Sequence, residues 1–346
     1  MEYKRWPPST TFQRNMGLFQ PTLPPLPKSL SFEGKTVLVT GANSGLGLAA
    51  SYHFAQRKVT TLILAVRTVK SGEATKAALL ADPIVSALPT KPTILVYELD
   101  LGRPSSVKSF ASKILAHTPD LNIVLLNAGI GSLKFETSPE EPHNELHFQV
   151  NYLSNAFLSI RFLPLLRSTA QRCGSRSYIS IVGSRMQTMS SFIKSPIPDT
   201  TSVFAFLNSP KDYNKFTRYG DSKLLVSTFI RELAQRTDAS LVIMNAVCPG
   251  MVHTSINTKQ PLLVRAITGV VFAIRARTAA VGAQSLINAV TAGPEIHGEQ
   301  LGDYTVWENK FLETEEGKKM ERRLWAETLA AVEKDAPGSV QNAGLE

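Results

Sequence analysis

The stretch KTVLVTGANSGLG, residues 35–47, decides the fold. A short run of apolar and β-branched residues ends at Thr40-Gly41, glycines follow at 41, 45 and 47, and an alanine-rich stretch continues to Arg57. Glycines let a chain turn tightly and come close to a ligand. The N–H groups that open the following helix then point at an anion, with the helix dipole behind them. A tight strand-to-helix turn can want glycine for its own sake. The strand before and the helix after supply the context in which the pattern reads as a dinucleotide site.

Working outward, apolar runs recur at 61–66 (TLILAV), 93–99 (TILVYEL), 121–127 (LNIVLLN), 177–183 (SYISIVG) and 240–247 (SLVIMNAV). They are too apolar for strands with one wet face and suit strands covered on both sides. Helical stretches fall between them at 45–57, 70–81, 104–116, 144–168 and 219–236. Such alternation implies right-handed crossovers and a doubly wound parallel sheet in a single α/β domain. Residues 1–32, with Pro-Pro at 7–8 and PTLPPLP at 21–27, read as an arm outside the core. The body is placed at 33–310. Within it, 255–292 is an apolar helical segment and GDYTVW (302–307) a last strand. Residues 311–346 form a terminal helix and tail, the charged helix at 313–334 lying on the surface without chemistry.

Composition narrows the function classes. With 346 residues, 43% of them hydrophobic, the chain can bury a large core, and 21 Gly and 21 Pro exclude collagen-like or wholly disordered readings. Two cysteines, Cys173 and Cys248, cannot build a disulfide framework, which favours a reducing compartment. Neither they nor the six histidines fall in metal-ligand spacing, so no metal site is expected. The net charge of +9 is scattered, without the dense Lys/Arg run that tracks a nucleic-acid backbone. A small phosphorylated ligand suits it better. No secretory signal and no window of about 18 apolar residues is present, so a soluble, cytoplasmic protein is expected.

Tyr219-Gly220-Asp221-Ser222-Lys223 places a phenol and an ammonium four residues apart, on one face of a helix. A free phenol has a pKa near ~10, too high for a base at neutral pH. A neighbouring ammonium is expected to lower it and make a general acid/base.

These separated motifs together resemble the short-chain dehydrogenase/reductase family, from about Lys35 to Tyr304. TGANSGLG is similar to its cofactor signature, which implies a Rossmann-type fold with Gly41, Ser44, Gly45, Leu46 and Gly47 around the cofactor. The resemblance implies a catalytic tetrad of Asn151, Ser184, Tyr219 and Lys223, with Tyr219 and Lys223 also touching the cofactor. Ser184 would hold the reacting oxygen beside Tyr219, and Asn151 would anchor a water leading to Lys223. It further implies Asp100 against the adenine, Asn127 of Asn127-Ala128-Gly129 along the cofactor, and Val252 and Thr254 at the nicotinamide amide. Arg161 is carried over on position alone. Cys248 reads as a small buried residue. At the end of the second strand, Arg67 stands where an acidic residue would bind a ribose hydroxyl. Its guanidinium suits a 2′-phosphate, which points to NADP(H).

The 34 residues between Ser184 and Tyr219, and TAAVGAQ at 278–284, resemble the retinol-dehydrogenase-like branch. The expected reaction interconverts a ketone and a secondary alcohol on a lipophilic molecule of polyketide, terpenoid, steroid or retinoid type, as in secondary metabolism. Residues 261–264 and 269–272 would line its pocket, or simply pack. Two alternatives stay open: non-redox chemistry on the same fold, and a cofactor-sensing module without catalysis. Dimers and tetramers are common in the family, which makes a homo-oligomer one expectation here, and an interfacial membrane role for 261–277 is a third reading of that segment.

Overall fold

The computed structural model describes residues 20–252 and 276–346. Eight strands form one sheet: β1 (Thr36–Thr40), β2 (Thr61–Val66), β3 (Thr93–Glu98), β4 (Ile123–Leu126), β5 (Ser177–Val182), β6 (Val242–Cys248), β7 (Glu299–Gly302) and β8 (Thr305–Trp307). Their order is β3-β2-β1-β4-β5-β6-β7-β8. Strands β1 to β7 are parallel, with Val37 opposite both Leu62 and Ile123. The order reverses between β1 and β4, and at such a switch the carboxyl ends of the strands open a crevice.

Alternation along the strands divides the core in two. On one face Leu38, Ile63 and Val124 pack with helices α4 (Pro104–His117), α5 (Ser154–Cys173) and α7 (Arg218–Gln235). On the other, Val37, Val39, Leu62 and Leu64 pack with α1 (Gly45–Gln56) and α8 (Ala279–Ala289). Helix α2 (Val69–Ala81) and short helices α3 (Pro83–Ser86) and α6 (Val203–Asn208) complete the layers before the C-terminal α9 (Glu315–Asp335) and α10 (Ser339–Asn342).

Four differences from the sequence reading have physical causes. The last strand is a hairpin: Asp303 and Tyr304, both at positive φ, fold β8 back antiparallel on β7, so the sheet is mixed at one edge. The long helix predicted from 144 opens with a π-helical turn at Phe148–Leu153 before α5 begins. Helix α9 is not a surface ornament. Met320, Leu324, Trp325 and Val332 recur at helical spacing and are buried in the core beside α7. Finally, Leu23, Leu26 and Phe32 of the proline-rich stretch are buried, the last two against β1 and α1, so the chain from Gln20 onward packs on the body. Residues 1–19, and the 253–275 part of the apolar segment with Thr254, lie outside the described residues.

Candidate active site

The turn after β1 is held from below. Gly41 and Gly45 have φ of +66° and +52°, which side chains larger than hydrogen rarely adopt. A Cβ on Gly47 would stand 2.3 Å from Gly41 O and 2.5 Å from Asn127 Nδ2. Asn127 donates to Thr40 O (2.9 Å) and the Ala128 N–H to Thr40 Oγ1 (3.0 Å), stapling the end of β4 to the turn. Ser44 caps α1 without a side-chain bond, and the Leu48 N–H is the first to bond back, to Ser44 O. The N–H groups of Gly45, Leu46 and Gly47 thus open the helix toward the crevice, a fit for a pyrophosphate.

Around that turn, Arg67 is exposed at the end of β2 and forms no ion pair among the described residues. Asp100 ends the β3 connection, its Oδ1 accepting the Gly102 N–H (2.9 Å) while Arg103 lies 3.7 Å from Oδ2. Leu46 and Val252 converge on Gly282 of α8. Arg161 is not part of this assembly. Ten residues along the helix from Asn151, about 15 Å, it donates to Ser339 Oγ of α10 (3.0 Å).

The catalytic candidates do come together. Tyr219 lies in the first turn of α7, its phenol close enough to Ser184 at the end of β5 to be influenced by that hydroxyl, and Lys223 sits one turn further. Lys223 Nζ donates to Val182 O (2.7 Å) and lies 5.7 Å from the centre of the Tyr219 ring. Asn151, wholly buried in the π turn, accepts the Ile130 N–H (2.8 Å) and donates to Ile130 O and to Ser222 Oγ (both 3.0 Å). Ser222 in turn donates to Tyr219 O (2.8 Å). A Cβ on Gly129 would lie 3.0 Å from Asn151 Oδ1 and 3.5 Å from Lys223 Nζ, so a glycine is what lets these groups approach.

The electrostatics differ from the expectation. Burial pushes the Tyr219 phenol up to about 12, against the downward pull of the Ser184 hydroxyl. Burial likewise lowers Lys223 to about 8. The ammonium is turned to a main-chain carbonyl, and desolvation outweighs the attraction that spacing alone suggests. Burial also raises the Cys248 thiol, which keeps it neutral and unreactive.

Three supporting residues escaped the sequence reading. Asn155 Nδ2 donates to Val150 O (3.1 Å) and Asn151 O (3.0 Å), satisfying the carbonyls of the widened π turn. His147 Nε2 accepts the Ser132 N–H (2.9 Å), so its proton is on Nδ1, facing Glu145 Oε1 at 2.8 Å. That pair fixes the loop after Gly129. Ser222 lay inside the quoted motif and was the one with a local signal.

The chain matches the short chain dehydrogenase family over residues 35–190. The short chain dehydrogenase yanD of Aspergillus niger is 40% identical over 319 residues, covering 91% of this chain and 96% of that protein. The short chain dehydrogenase macD of Penicillium terrestre is 39% identical over 317 residues, covering 91% and 96%. Among solved structures, NADPH-bound carbonyl reductase from chicken fatty liver superposes with a TM-score of 0.56 at 21% identity, covering 80% of this chain and 99% of that one. A 7α-hydroxysteroid dehydrogenase complexed with NADH and 7-oxo glycochenodeoxycholic acid gives 0.58 at 14%, covering 80% and 96%. At those identities the structures share the fold. The chain belongs to the short-chain dehydrogenase family and is an NAD(P)-dependent oxidoreductase.

Proposed function

We propose that this protein interconverts a ketone and a secondary alcohol on a lipophilic small molecule, with NADP(H) as its cofactor. The observation that carries the reading is the grouping of Tyr219 with Ser184 at the end of β5 and with buried Lys223 one turn along the same helix. When bound, the nicotinamide supplies or accepts the hydride. The protein's own groups handle the oxygen. A phenol whose pKa is raised to about 12 keeps its proton at neutral pH, so Tyr219 is poised to give it to a carbonyl oxygen as the alcohol forms. Ser184 holds the same oxygen in line, and the adjacent Lys223 ammonium stabilises the phenolate left behind.

Arg67 supports NADP(H). It is exposed and pairs with no carboxylate among the described residues, and there is no carboxylate at 65–68 to repel a 2′-phosphate. A lipophilic substrate is supported by Met186, Met189 and Phe216, exposed by 38%, 59% and 69% in the segment that joins Ser184 to Tyr219. The two methionines border the first turn of α7, where a Cβ on Gly220 would stand 2.5 Å from Met186 O. A place near the retinol-dehydrogenase-like branch rests on the length of that segment and on residues 278–284.

Replacing Tyr219 by Phe in the source organism, with extracts compared by accurate mass, tests the reaction. The expected result is a compound that accumulates and differs from the lost product by two hydrogens. On the purified enzyme, turnover falls by about 10³-fold with NADPH affinity unchanged. Full activity in the variant, or a pair differing by water or not at all in mass, sinks the redox reading. Changing Arg67 to Ser tests the cofactor. NADPH binding weakens by roughly tenfold or more while NADH binding holds, and an unaltered ratio of the two affinities refutes the assignment.

A further inference from the structure

Four segments far apart in sequence meet where β6 ends. Asp303, in the left-handed turn between β7 and β8, uses both carboxylate oxygens. Oδ1 accepts from Arg277 Nη2 and Oδ2 from Arg185 Nη2, each at 2.7 Å. Arg185 is the residue after Ser184, and its guanidinium also lies 4.8 Å over the Trp307 ring. Arg277 is nearly buried. It donates through Nη1 to Pro249 O (3.2 Å) and through Nη2 to Pro21 O (2.6 Å), and its N–H bonds Met251 O (2.9 Å). Beside it, the side chain of Gln20 reads the main chain of Met251 in both directions. Nε2 donates to Met251 O (2.8 Å), and Oε1 accepts the Met251 N–H (2.7 Å). Gly250 makes this approach possible, because a Cβ there would stand 2.2 Å from Gln20 Oε1 and 2.7 Å from Arg277 Nη1.

We propose that Asp303 and Gln20 are positioning residues of the active site: together with Arg277 and Arg185 they form a clasp that sets the Pro249–Val252 turn against the Ser184 loop, and so holds the nicotinamide half of the cofactor. The proposal rests on the dinucleotide reading above. The clasp joins main-chain turns at the carboxyl ends of β5 and β6, not the apolar layers that hold the sheet together. The Ser184 loop is held through the Arg185–Asp303 ion pair to the β7–β8 hairpin, and the Pro249–Val252 turn through charge-assisted bonds of Arg277 and the neutral amide of Gln20. Loosening either side frees the turn that bears Val252, whereas the Gly41–Gly47 turn, on the far side of β4 and β5, keeps its own hold through Thr40, Asn127 and Ala128.

Asp303→Asn and Gln20→Ala test it. Asparagine tolerates the left-handed conformation at 303 but loses the charge and one of the two acceptors. Gln20→Ala acts on a separate segment and removes only an amide, so it remains informative if the other variant folds poorly. Each purified full-length protein is titrated with NADPH and with 2′,5′-ADP, which carries the adenosine half without the nicotinamide. NADPH affinity is expected to fall about tenfold in both variants, with 2′,5′-ADP affinity within twofold of the parent. If the parent binds NADPH and both variants bind it equally well, or if both ligands weaken together, the clasp has no positioning role. Failure of the parent to bind NADPH would instead overturn the cofactor reading, and the clasp's role with it.

Discussion

Lys223 is the residue at which the chemistry of the site opposes the stability of the fold. Its folded pKa of about 8 lies below the 10.5 of a free lysine because burial disfavours the ammonium. Below pH 8 both folded and unfolded chains carry the proton, and the folded state bears the whole desolvation cost. Between about 8 and 10.5 only the unfolded chain holds it, so stability rises with pH across that window and the cost is gone above it. The shift corresponds to about 3 kcal/mol, and removing the ammonium takes from Val182 O its Lys223 donor, which costs about 1. Lys223→Met should therefore be inactive yet more stable at pH 7 by about 2 kcal/mol. Denaturant unfolding at pH 7 and pH 10 checks this, with the gain shrinking toward the higher pH. A variant less stable at pH 7 would show that the Val182 bond outweighs the burial.

Among the elements, α9 departs furthest from its reading. Its sequence, EEGKKMERRLWAETLAAVEKD, is charged enough to suggest a solvated helix. Yet Met320, Leu324, Trp325, Thr328 and Val332 fall on one stripe, and Thr328 Oγ1 meets the buried Tyr152 hydroxyl at 2.6 Å. Tyr152 neighbours Asn151 in the π turn, so the C-terminal helix braces the segment that carries a catalytic candidate. Four large apolar side chains at roughly 2 kcal/mol each amount to about 8 kcal/mol, comparable with the whole net stability of a domain. A chain ending at Thr314 should accordingly be recovered as aggregate, or bind an apolar dye while losing its sharp thermal transition. A truncated protein with the parent's melting temperature would contradict this account of α9.

At the scale of the molecule, the sheet gathers what the chain scatters. Thr40, Arg67, Asp100, Asn127, Ser184 and Val252 lie at or just beyond the carboxyl ends of six different strands, and parallel pairing puts those ends on one edge. The α/β class, strands β1 to β6 and the Tyr219–Lys223 pair were legible because each rests on a local pattern: a buried apolar run, a glycine turn or an i, i+4 spacing. Ser184 and Asn151 were reached only through the family resemblance. The inner face of α9 was equally local, but its many charges concealed the stripe. Arg161 misled because position on a helix says nothing of which neighbour its side chain meets. The clasp had no local signal at all, since Gln20, Arg185, Arg277 and Asp303 share no spacing and meet only after the sheet closes.

The sequence by itself determined the alternation of strand and helix, the glycine turn that suits a pyrophosphate and the i, i+4 pairing of Tyr219 with Lys223, because these depend on neighbours within a few residues. Only the tertiary structure decided the direction of the Tyr219 and Lys223 shifts, the π turn under Asn151 and the joining of the N-terminal segment to the turn after β6. Those depend on how much water is excluded from a point and on which distant groups arrive there, and both are properties of the packed whole.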